Sequence, residues 1–405
     1  MSNENPATKI LFKSVKNIPP HFLCIIETNI ILESAGMRDV MVKFTQRERL
    51  ISALLLEEPD IVPTSIRIKN MNYPWMAEVG ILNYIMNDSD VIWRIGSGAN
   101  AFFTKSANIH VERDARFNAY IYRVNTPKGC LTSVKRNTIR GKPYVGFWTV
   151  KAFLETDEDI ERFLSIPYSP CIPNLEPYFE RVNILKDRGI VVVELSDPVG
   201  AVGGLFPLRQ FIKYCLVRRD LVKELLDTMF ERICDYLERM LVMSEEAMIV
   251  ELSGSELVAP PFLHPRVFEE LVVRYDRKLV ELIHEYGGLA LMHCHGKVSK
   301  VLESIASIGI DGLHPLEPPP SGDVDLEDAK KRVGDRFCII GNIQLDTLCR
   351  CDGEKLDEEC KNVIMKAAPG GGFILEPTAT PLPDTPVENI KVFIKAGRRY
   401  GSYMP

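Results

Sequence analysis

After about residue 175 the chain alternates short apolar runs with amphipathic stretches of helical period, and few folds accept that rhythm. The apolar runs are 190–195, 247–252, 289–293, 312–314, 337–340 and 372–375. Between them, 221–243 sets Val222, Leu225, Leu226, Met229, Ile233, Leu237 and Met240 on one helical stripe, with Asp220 as the expected N-cap. The stretches 266–286 and 298–308 repeat the pattern, the latter stopped by Gly309. A last helix starts at Thr385-Pro386-Val387-Glu388, where Thr385 is expected to cap and Glu388 to complete a capping box. Strands alternating with helices mean parallel βα units. Six such units, with one or two before them, predict an α/β fold of the (β/α)8 or TIM-barrel type. A doubly wound open sheet is the alternative, but no glycine fingerprint of the dinucleotide type opens any helix.

The rest of the chain fits around that plan. A hydrophobic content of 46% is enough for a core, so the chain is not disordered. A formal net charge of -6 lacks the basic footprint of a nucleic-acid binder. The apolar run 22–26 is broken by Glu27, too early for a membrane span or a secretory signal. Ten cysteines without a disulfide framework read as reduced thiols, and the expected location is the cytoplasm. Residues 1–42 are poorly patterned and read as an N-terminal extension. Residues 43–405 read as a single barrel, beginning with a helix over 43–57 capped by Thr45 and a first strand over about 61–68. The stretch 100–150 is rich in β-formers and turn residues and reads as a β-hairpin insertion.

In such barrels the chemistry sits where strands end. His293 and His295 close one run, and alternation turns both side chains the same way, with Cys294 opposite. Imidazoles at i and i+2 form a metal-ligand pair without strain. Glu317, at the next strand end, supplies a third ligand in this reading. Glu251 and Glu376 end two further runs, and spacing alone leaves open which of them would touch a metal. Asn342 is a neutral group suited to orienting a substrate or a ligand imidazole. His314 lies inside its run and reads as a core or supporting residue. Cys349, Cys351 and Cys360 lack the second pair that a structural zinc site needs.

The stretch from about 43 to 402 resembles the uroporphyrinogen decarboxylase superfamily. The resembling pieces are Thr45-Gln46-Arg47-Glu48-Arg49, His293-Cys294-His295-Gly296, Gly341-Asn342-Ile343, Leu375-Glu376-Pro377 and Pro383-Asp384-Thr385-Pro386. That superfamily is a (β/α)8 barrel. It includes heme-pathway decarboxylases and zinc methyltransferases that act with corrinoid proteins. The decarboxylases carry an Arg-rich segment for the porphyrinogen carboxylates; the corresponding stretch here reads Ile68-Lys69-Asn70-Met71-Asn72-Tyr73-Pro74-Trp75. The methyltransferase branch is the nearer one. In its terms His293 matches the metal-binding His, His295 stands where a Cys would be, and Glu317 stands at a Glu position of related methionine synthases. Where a later Cys would fall, Glu376 is the nearest candidate ligand.

The resemblance thus implies a zinc-dependent methyltransferase that moves a methyl group from a small donor to a Co(I) corrinoid on a separate protein. Imidazole and carboxylate in place of thiolates make a harder site, which suits an oxygen ligand and hence an O-methyl donor. Glu251 or Asn342 would position the donor, and Tyr73 and Trp75 would stack an aromatic one. Three other functions are compatible with the residues: decarboxylation of a porphyrinogen-like acid, hydrolysis by a metal-bound water, and tetrapyrrole binding without catalysis.

Overall fold

The computed structural model describes residues 44–69, 74–137 and 147–403. The helix Gln46–Leu54 opens with a capping box, in which Thr45 accepts from the Glu48 amide and Glu48 accepts from the Thr45 amide. Seven parallel strands follow, interrupted by four of another kind. They are β1 (Val91–Gly96), β2 (Ile109–Asp114), β3 (Ala119–Thr126), β4 (Gly129–Asn137), β5 (Phe147–Lys151), β6 (Gly189–Ser196), β7 (Ile249–Ser253), β8 (Leu289–His293), β9 (Gly312–His314), β10 (Cys338–Ile343) and β11 (Phe373–Pro377).

The main sheet runs β1-β6-β7-β8-β9-β10-β11, all neighbours parallel. This order never reverses, so the sheet has no topological switch point and is not doubly wound. The expected first strand over 61–68 is reduced to isolated bridges, with Thr64 on Leu375 of β11 and Ile68 on Trp93 of β1. Backbone bonds from Ser65 to Leu375 and from Arg94 to Ile68 accompany them, each 2.9 Å long. This short stretch therefore touches both outer strands of the sheet.

The insertion is larger than the expected hairpin. β2, β3, β4 and β5 form a separate four-stranded antiparallel sheet between the end of β1 and the helix Asp157–Leu164. Val124 and Leu131 anchor it in the main core, while Trp148 and Val150 face outward.

Two expectations about caps are corrected. The helix Arg219–Ser244 begins one residue before Asp220, so Asp220 lies in its first turn. The last helix, Val387–Tyr400, has Pro386 at its N-cap without a side-chain bond. The Thr385 hydroxyl is 3.0 Å from Cys349 Sγ instead, and Glu388 pairs with Lys391. Among the described residues nine cysteines are free, and no helix is long and apolar enough to cross a membrane.

Alternation along the strands puts the chemistry in place. Ile92, Val192, Ile249, Leu291, Ile340 and Ile374 pack as one cluster with Leu50 and Leu54 of the first helix. Two residues further along each strand, on the same face, stand Arg94, Glu194, Glu251, His293, Asn342 and Glu376. An apolar layer thus supports a polar one at the carboxyl ends of the strands.

Candidate active site

The polar layer is built around two guanidinium groups that sequence reasoning missed. Arg94, wholly buried on β1, donates through Nε to Glu251 at 3.1 Å and through Nη1 and Nη2 to Glu376 at 2.9 Å each. Arg67 donates to Glu251 at 2.8 Å and to Glu194 at 3.2 Å, and Lys69 pairs with the other Glu194 oxygen at 2.5 Å. The signal was present in the sequence: an arginine inside Val91-Ile92-Trp93-Arg94-Ile95, and another between Ile66 and Ile68, each interrupting an apolar run. A buried charge needs a partner, so each arginine implied a carboxylate across the sheet.

Burial alone would raise the Glu251 carboxyl, but Arg67 and Arg94 outweigh it and hold it well below the usual carboxylate range. Burial pushes His293 down to about 3, and it pushes His314 well below the ordinary imidazole value, with Arg67 adding in the same direction. Both imidazoles are therefore neutral at neutral pH, the form that donates a lone pair.

The expected metal ligands fall into two groups. His293 and His295 end β8 with their rings perpendicular and 4.6 Å apart. His295 Nδ1 lies 3.1 Å from Glu317 Oε2, which also accepts the Gly296 amide at 3.0 Å. Burial raises the Glu317 carboxyl, yet these two bonds bring it below its ordinary value. Glu376 does not join this group, because both of its oxygens are held by Arg94 and it is completely buried. Glu251, His293 and His314 have ligand atoms within 4.8 Å of one another, but the same Glu251 carboxylate is engaged by both arginines.

The donor set at His293 and His295 fits zinc. Two imidazoles are offered with a carboxylate beside them, and His295 Nδ1 is tied to that carboxylate in the manner that orients a ligating ring.

The remaining expected residues are dispersed. Asn342 donates to the Leu316 carbonyl at 2.8 Å, and its buried Oδ1 has no hydrogen-bond partner among the described residues. It lines a pocket of about 580 Å³ with Asp323 and Lys366. Trp75 is packed in the main core, and Tyr73 lies outside the described residues. A second pocket of about 400 Å³ opens at the ends of β1, β6 and β7, lined in part by Lys69, Ser97, Phe103, Glu194, Ser196 and Ser253.

The family model described as uroporphyrinogen decarboxylase (URO-D) matches residues 150–400. The chain belongs to this family. Its similarity extends to both branches. A methylcobamide:CoM methyltransferase, MtaA, of Methanosarcina barkeri is 26% identical over 211 residues, which are 52% of this chain and 58% of that protein. A uroporphyrinogen decarboxylase of Pseudoalteromonas translucida is 26% identical over 183 residues, 44% of this chain and 48% of that protein. The URO-D family chain thus spans about half the length of the curated relatives it matches. A solved methyltransferase from Methanosarcina mazei shares the fold, with a TM-score of 0.58 and 18% identity over 88% of this chain and 99% of that one.

Proposed function

We propose that this URO-D family protein is a cytoplasmic methyltransferase that moves a methyl group from a small O-methylated donor to a Co(I) corrinoid carried by a separate protein. In this reading its seven-stranded sheet and the stretch 61–68 together make a (β/α)8 barrel. His293 and His295 hold zinc, with Glu317 beside them. The observation that carries the reading is the pair of imidazoles at the end of β8, with one ring fixed by Glu317 and the other held against His314.

When bound, zinc supplies a Lewis acid that makes an ether oxygen a better leaving group. The protein's own residues do the rest. Glu317 orients His295 through Nδ1. Glu251 and Glu376 fix the two arginines and so keep the floor of the site rigid. Asn342 would position a donor's polar group from the side of the 580 Å³ pocket, where its amide oxygen has no hydrogen-bond partner among the described residues. The pocket over β1, β6 and β7 has room for a small aromatic or aliphatic donor.

The decarboxylase reading is less well supported. A polycarboxylate substrate needs guanidinium groups with charge to spare. Arg67 and Arg94 are already matched by Glu194, Glu251 and Glu376.

The test is elemental analysis of protein purified without chelator, beside His293→Ala and His295→Ala. About one zinc per chain, absent from both variants, is expected from a single bound ion. Methyl transfer to reduced cobalamin with methoxylated donors should then follow the zinc content. A wild-type protein without stoichiometric metal would overturn the proposal.

A further inference from the structure

His314 is too deeply buried to meet a substrate, yet its two ring nitrogens have unambiguous neighbours. Nε2 lies 3.0 Å from the Pro377 carbonyl oxygen and 3.4 Å from Glu376 Oε2, both of which only accept. Nδ1 lies 3.1 Å from Nη1 of Arg67, which only donates. Acceptors on one side and a donor on the other impose one neutral tautomer: hydrogen on Nε2, lone pair on Nδ1. A doubly protonated ring would set an N–H against the guanidinium.

The consequence passes to His293. Its Nδ1 is 2.9 Å from the bare Nδ1 of His314, and the two rings are nearly parallel, at 13°, with centroids 5.1 Å apart, so they meet edge to edge. Two nitrogens at that distance need one hydrogen between them. His314 cannot supply it, so His293 Nδ1 must. The lone pair of His293 is then on Nε2.

We propose that His314 is a positioning residue that locks His293 in the Nδ1–H tautomer, so that a divalent cation meets the Nε2 lone pair. Its metal-binding half rests on the proposed function; the tautomer itself does not. The lock runs from β11 through β9 to β8, from the Pro377 carbonyl to His314 to His293, with Arg67 fixing its polarity. Glu317 performs the matching service for His295, by a carboxylate rather than an imidazole.

The experiment is a long-range proton–nitrogen correlation spectrum of the full-length metal-free protein labelled with 15N-histidine, at neutral pH. His293 is assigned by comparison with His293→Gln. A pyrrole-type Nδ1 and a pyridine-type Nε2 are expected for His293 in the wild type. His314→Gln should preserve this pattern, because its amide oxygen can accept from His293 Nδ1. His314→Phe should give a mixture of tautomers. Zinc affinity, measured against a chromophoric chelator, should fall about 10- to 100-fold in His314→Phe and less in His314→Gln.

An Nε2–H tautomer in the wild type, or an unchanged tautomer in His314→Phe, would overturn the inference. The wild-type spectrum decides the first point even if the phenylalanine variant fails to fold. The expected tautomer in a protein that binds no zinc would sink the proposed function and leave the lock standing.

Discussion

Arg94 and Glu376 face each other from opposite edges of the seven-stranded sheet, joined by two parallel hydrogen bonds of 2.9 Å, with neither side chain exposed. The stretch 61–68 lies between their two strands, so this ion pair spans the gap that the backbone crosses by isolated bridges at Thr64 and Ile68. Arg94→Met would leave Glu376 buried without a guanidinium and Glu251 with Arg67 alone. Breaking such a pair costs about 3–5 kcal/mol. Chemical denaturation should report a loss of that size. Arg94→Lys should recover only part of it, since an ammonium cannot bind both oxygens of one carboxylate in the same plane.

The tie between Arg94 and Glu376 also separates two roles for the carboxylates. Glu376→Gln should lower stability yet leave zinc content near the wild-type level. Glu317→Gln should instead weaken zinc retention about 10- to 100-fold, because it loosens the grip on His295 Nδ1. Metal analysis after dialysis against a weak chelator distinguishes them. Equal loss of zinc in both variants would contradict this division.

A pH dependence should arise away from the imidazoles. Burial pushes the Asp197 carboxyl up to about 8, with Glu256 adding to the rise, and burial and the Asp197 charge hold Asp276 well above its ordinary value. Both oxygens of Asp276 lack a hydrogen-bond partner among the described residues. A folded value above the unfolded one means that the contribution is complete below about pH 4 and is lost as the pH rises through about 8. One such proton gives a slope of about 1.4 kcal/mol per pH unit. Asp276→Asn should flatten the decline and should be more stable than the wild type at pH 9, as measured by urea denaturation at pH 5, 7 and 9.

Gly254, just past β7, lies in backbone contact with Gly200 of the short helix Pro198–Gly203 that follows β6. A Cβ on Gly254 would meet the Gly200 Cα at 2.1 Å, and the Gly254 φ of +127° is itself unfavourable for other residues. Gly254→Ala should therefore cost on the order of 3 kcal/mol or more. Because Ser253 lines the 400 Å³ pocket, the same change should also weaken donor binding. A thermal melt within a degree of the wild type would count against this close approach.

Much of this organisation was legible in the sequence. Strand–helix alternation fixed the parallel sheet because hydrophobic period survives any detail of packing. The Thr45–Glu48 capping box was legible because it is entirely local. The cap expected at Thr385 failed because its hydroxyl is drawn to Cys349, a contact across 36 positions that no local motif reveals. At the site, His293, His295 and Glu317 could be placed together because adjacent strand ends are neighbours. Glu376, expected as a ligand by resemblance, is instead held by Arg94, a partner 282 positions away that no local pattern reveals. The sequence showed arginines in apolar strands but not which carboxylates they would meet. The state of His314 depends on a carbonyl, a guanidinium and a second imidazole from three separate segments that meet only in the folded chain.

The polar layer also limits how this chain can diverge. Arg67, Arg94, Glu194, Glu251 and Glu376 come from five different strands or strand-like segments, and their charges cancel only as a set, with Lys69 at the rim. A lineage that changes one of them strands a charge in the interior and loses stability before any new chemistry can be selected. Relatives that share this sheet are therefore expected to exchange these residues in groups. His295 and Glu317 at the mouth lie outside this charge set, so a change there strands no charge among the five.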